Sequence, residues 1–117
     1  MTLTYILGAI LVLVFAALGG AKVAAVPSMR ARAAHVGFSI AAYRGIGALE
    51  LLAAVGILAG VYDERLAAAA AVGLVLLLAG AVTTHARTGD GLAEVAPGLV
   101  LSAVAAVFVA LILAGQS

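Results

Sequence analysis

The chain has no cysteine and no tryptophan, and only two prolines in 117 residues. Without cysteine there is no disulfide, no thiol redox chemistry and no thiolate metal site. Charge is scarce too: six Lys and Arg against five Asp and Glu, a formal net charge of +1. Such a balance suits neither nucleic acid nor an acidic partner. Only 9% of the residues are charged, where soluble domains carry about 25%. The sequence holds no G-x-S-x-G, no phosphate loop, no C-x-x-C and no His pair at ligand spacing. A nucleophile elbow, a nucleotide loop and a haem or zinc site therefore lack their signatures, and no metal is expected.

Apolar side chains are abundant instead, at 67% of the chain. So short a chain has too little interior to hide them, so lipid must cover them. A membrane span needs about 20 mostly apolar residues. The pattern predicts four spans, over residues 3–26, 43–61, 66–85 and 95–114. The first could be mistaken for a signal peptide, but no Lys or Arg precedes Lys22 to make a basic n-region, so a retained helix is expected. Between the first two spans, Arg30, Arg32 and His35 alternate with Met29, Val36, Phe38 and Ile40. Ser28, after Pro27, suits an N-cap. This segment is either a short helix lying on the membrane surface with its arginines on headgroups, or an ordinary basic loop. Pro97 is expected in the first turn of the fourth span, where a missing N–H does no harm. Gly56 and Gly60 form a G-x-x-x-G, a pattern that lets helices approach closely. Tyr5, Tyr43 and Tyr62 are candidate anchors at headgroup depth.

These spans predict an all-α protein and one domain over residues 1–117: a transmembrane antiparallel four-helix bundle with a short interfacial segment between the first and second spans. The loops after the first and third spans, with the adjoining helix ends, hold Lys22, Arg30, Arg32, Arg44 and Arg87, while the opposite side holds Arg65. The positive-inside rule places those loops in the cytoplasm and both termini on the non-cytoplasmic side.

One span carries a carboxylate. A charge at the centre of a spanning helix costs roughly 2.5–3.5 kcal/mol on the mildest scale, so Glu50 needs a partner, a proton or a wet cavity. Antiparallel threading brings Lys22, Arg44, His85 and Arg87 to the same leaflet, with Glu50 about 9 Å deeper than Arg44 at 1.5 Å per residue. Tyr43, seven residues before Glu50, shares its face, and Gly47 leaves room between them. Arg44, six residues before, points elsewhere. Lys22 or His85 from other helices, or the Tyr43 hydroxyl, are the better partners, and Thr83, Thr84 and Ser102 could add hydrogen bonds. Two readings stand. Glu50 is the ionisable group of a small pocket open to one leaflet, or it is a structural staple bonded to Lys22 or Arg44. His35 and His85 would meet only if the surface segment folded over the mouth of the bundle.

Several stretches together resemble the DoxX-like family of small four-helix membrane proteins. They are Gly20-Ala21-Lys22, Ala34-His35-Val36-Gly37, the R-x-x-G-x-x-E run from Arg44 to Glu50, Gly73-Leu74-Val75 and Gly80-Ala81-Val82-Thr83-Thr84-His85. The resemblance implies a left-handed four-helix bundle in the cell membrane. It also implies a setting: the family's name comes from a subunit of a thiosulfate:quinone oxidoreductase, and other relatives belong to redox-stress complexes. The first functional expectation is therefore a pocket for a small apolar or quinone-like molecule in a subunit or accessory of a membrane redox system. Glu50 would be the acid/base or headgroup-binding residue, and Lys22, Tyr43, Arg44 and His85 would surround it. Its partners would be the bilayer and a membrane or soluble redox protein. A water-filled pore does not fit in one copy, and a homo-oligomer would change that. The alternatives are a stand-alone isomerase or hydrolase of a lipid-soluble substrate using Glu50 and His85 as its catalytic pair, and a non-catalytic assembly factor that packs through its glycine faces.

Overall fold

A computed structural model describes residues 2–115. Its elements are α1 (Thr2–Ala24), α2 (Pro27–His35), α3 (Ile40–Ala59), α4 (Glu64–Thr88) and α5 (Leu92–Leu113). All but α2 are long and apolar enough to cross a membrane. The expected four spans and the short segment between the first two are present, and that segment is a helix.

Each long helix turns one stripe inward. On α1 the buried residues are Thr4, Gly8, Leu11, Phe15, Gly19 and Lys22, spaced by three and four as a 3.6-residue period requires. The corresponding stripe of α3 is Gly47, Glu50, Ala53, Ala54 and Ile57. α1 packs chiefly on α3, α4 on α5 and α3 on α4, and α5 closes the ring against α1. The seam is thin. Only 17–28% of each spanning helix's most apolar stretch is buried within the protein, and residues such as Leu13, Leu52, Leu76 and Leu113 face outward. That outer surface is apolar all round, as lipid contact demands.

Glycines set the helix spacing. A Cβ placed on Gly47 would lie 2.5 Å from the Lys22 Cβ and 2.8 Å from the Gly19 carbonyl oxygen. A Cβ on Gly19 would meet the Gly47 carbonyl oxygen at 2.8 Å. The backbones of α1 and α3 therefore touch at this level. Gly56 and Gly60 do the same between α3 and α4, where added Cβ atoms would come 2.7 Å from the Ala70 Cβ and 2.5 Å from the Ala67 Cβ.

Several local expectations are corrected. Ser28 is not the N-cap of α2: that position is Val26, with no side-chain hydrogen bond, because Pro27 already takes the first helical position. The capping serine is Ser39, whose Oγ accepts from the Ala42 N–H at 3.0 Å and starts α3 three residues earlier than predicted. Pro97 is the sixth residue of α5, since that helix begins at Leu92 rather than at 95. Asp63 caps α4 through the Arg65 N–H at 3.0 Å.

Candidate functional site

Lys22 is near the end of α1 and Glu50 is midway along α3. Each lies three residues beyond the glycine of its own helix at the α1–α3 contact. The helices run antiparallel and Gly47 packs directly on Lys22, so Glu50 lies about one turn deeper than Lys22, about 4.5 Å at 1.5 Å per residue. Side chains lean toward their own helix N-terminus, so Lys22 leans inward and Glu50 leans toward the mouth, and the two converge. Lys22 Nζ donates to Glu50 Oε1 at 2.7 Å, with only 10% and 6% of the two side chains exposed. The ammonium also lies 5.3 Å from the centroid of the Tyr43 ring, within cation–π range. Of the partners that the sequence offers Glu50, Lys22 is the one in hydrogen-bond contact.

The helix α2 roofs this pair. Its buried residues are Met29 and Ala33. They close the space above Lys22, together with Ala25, Ile40 and Tyr43, leaving no room for a water molecule. The expected pocket open to one leaflet is therefore shut in this structure. The α1–α2 corner is tight. Ala25 adopts a left-handed φ of 53°, with the Ala25 N–H on the Lys22 carbonyl and the Val26 N–H on the Ala21 carbonyl. This is a Schellman ending with alanine where glycine is usual, which costs roughly 1–2 kcal/mol. Arg30 Nε donates to the freed Ala25 carbonyl at 2.8 Å and braces the corner.

A second polar cluster holds the far end of α2. His35 Nε2 lies 2.7 Å from Asp90 Oδ1, and His85 Nδ1 lies 2.6 Å from Asp90 Oδ2. One carboxylate thus links α2 to the α4–α5 turn. With the carboxylate ionised, it accepts from both rings when the proton is on Nε2 of His35 and on Nδ1 of His85. The two histidines do meet, through Asp90, which stands between Gly89 and Gly91 in the α4–α5 turn. The helix ending explains it. Gly89, at φ 82°, is the left-handed residue after α4, and the Asp90 N–H returns to the His85 carbonyl at 3.0 Å. That geometry stacks the second residue past the cap on the helix residue five before it. The spacing His85 to Gly89-Asp90 was the available signal. The hydrogen bonds from His85 and then His35 hold the Asp90 carboxyl below the usual range.

Four expected members are elsewhere. Arg44 is exposed and joins no ion pair among the described residues, because six residues of helix turn it away from Glu50. His85 is engaged with Asp90, so no Glu50–His85 pair forms. Thr83 and Thr84 donate back to the Ala79 and Gly80 carbonyls of their own helix, both at 2.8 Å. No group of three His, Cys, Asp or Glu is arranged to hold a metal among the described residues.

Four lipid-facing helices around a buried ion pair define a small multi-pass helical membrane protein. A model of the DoxX-like family matches residues 6–110, nearly the whole chain, and the chain belongs to that family. No curated protein and no solved structure matches it.

Proposed function

We propose that the Lys22–Glu50 pair receives the polar head of a small lipid-soluble molecule of the quinone class, and that the protein serves as a subunit or accessory of a redox system of the cell membrane, its termini outside. The observation that carries this reading is a lysine–glutamate ion pair held inside a spanning bundle, against a tyrosine ring. Ionisable groups at this depth are costly and mark ligand or proton sites. Lys22 has three N–H donors and Glu50 accepts one, so an incoming carbonyl oxygen has a donor to meet. Admission requires α2 to lift, since Met29 and Ala33 close the site. Electron transfer would belong to the ligand and to a membrane or soluble partner, because the chain has no thiol. Glu50 would hold or return the proton.

The other readings have less support. Acid/base catalysis by Glu50 with His85 lacks its geometry, and the Gly56–Gly60 face is already occupied by α4. The test is mass spectrometry of small molecules retained after mild detergent extraction. The wild type should carry a lipid-soluble carbonyl compound that Glu50→Gln loses while remaining folded. An equal complement in both proteins would leave the pair as a structural staple.

A further inference from the structure

A cavity lies at the opposite end of the bundle from Lys22 and Glu50. Its volume is about 620 Å³, within the range of small-molecule sites. It opens between the first turns of α1 and the last turns of α3, and Phe108 and Ile112 of α5 form part of its wall. The body of the cavity is apolar, with Val12, Leu13, Ile57 and Leu58 among its lining. Its rim is different: Tyr5 and Tyr62 stand largely exposed there, beside Glu64 in the first turn of α4.

Charge decides what would fit. Glu64 is the one charged residue in the lining, and no ion pair is formed by it among the described residues. The nearest arginine in sequence, Arg65, is turned to Asp63, with Nε 3.0 Å from Oδ1 and a terminal nitrogen 2.8 Å from Oδ2. A phosphate or carboxylate head at this rim would meet a carboxylate and, among the described residues of the lining, no cation. An ammonium head would meet Glu64 and two phenol rings whose faces attract cations.

We infer that this cavity is a second binding site, for an amphiphile with an apolar body and an ammonium head, taken up from the bilayer at the end of the bundle that carries the chain termini. It is independent of the Lys22–Glu50 reading, since the two sites share no residue.

The test uses the full chain in phosphatidylcholine nanodiscs, with dodecylamine, dodecanol and dodecanoate as probes and native mass spectrometry as the readout. Dodecylamine should bind roughly fivefold tighter than dodecanol, the scale of one exposed ion pair, and dodecanoate more weakly than either. Glu64→Gln should erase the preference for the amine. Ala9→Phe, on an exposed lining position of α1, should fill the cavity and weaken all three, while Gly73→Ala, outside the lining and with nothing within 4 Å, should leave the order unchanged. Equal binding of the three probes would make the cavity a groove for acyl chains alone and overturn the inference. So would amine binding that Ala9→Phe does not alter.

Discussion

Lys22 and Glu50 hold each other in place because neither can stand alone where it is. Removing one partner of a buried pair leaves an uncompensated charge, and such changes cost about 3–5 kcal/mol. Lys22→Met should therefore lower stability by that order in detergent unfolding. The double variant Lys22→Met/Glu50→Leu should recover most of the loss, since apolar replacement of a whole buried pair is often neutral. Unfolding midpoints of the two single variants and the double variant would check this, and additive losses would mean that the two side chains do not interact. Ala25→Gly should stabilise, by up to about 1 kcal/mol, by relieving the left-handed alanine at the α1–α2 corner. At this scale the sequence was partly readable. A carboxylate in an apolar run announces itself, and helix periodicity already turned Arg44 away from it. Asp90 was hidden because an aspartate between two glycines reads as turn chemistry. Its pairing with two histidines depends on a helix ending that only backbone geometry displays.

The contact of α1 with α3 rests on paired glycines, so it should be intolerant of even one methyl group. Gly47→Ala would force α1 and α3 apart, because its neighbours at 2.5–2.8 Å are a Cβ and a backbone oxygen. Gly73→Ala meets nothing within 4 Å and should be neutral, or stabilising by a few tenths to about 1 kcal/mol as glycine leaves a helix interior. Thermal unfolding of the two variants should thus move in different directions. The helix α2 is fastened by the His35–Asp90–His85 link, which gives it a pH dependence of definite sign. The folded Asp90 value is depressed. Its contribution is complete above the unfolded value of about 4 and is lost as pH falls through the lower folded value. Hydrogen exchange of α2 should accelerate as pH drops below about 4, after correction for intrinsic rates, and Asp90→Asn should show loose exchange at every pH. Element boundaries were the least legible feature. Ser28 is a good cap on paper, but Pro27 occupies the first helical position of α2 and moves the cap back to Val26.

For the whole molecule, the four-span architecture was legible because lipid imposes it: a chain with this much apolar surface and no soluble core has few other solutions. The two ends of the bundle were not distinguishable in the same way. The sequence pointed to a pocket at the polar mouth, yet that mouth is closed by α2 and the open cavity is at the other end, where tertiary packing alone creates it. Topology is open to direct test, because the native chain has no cysteine. Tyr62→Cys should react with an impermeant thiol reagent on intact cells, and Thr88→Cys only after permeabilisation, if the termini are outside. The central claim is that the Lys22–Glu50 pair binds the head of a quinone-like molecule. Its most direct measurement is equilibrium binding of a short-chain ubiquinone analogue to the wild type and to the refolded-stable Lys22→Met/Glu50→Leu protein in nanodiscs. Saturable binding to the wild type and its loss in the double variant are expected. Equal binding by both proteins would contradict the claim.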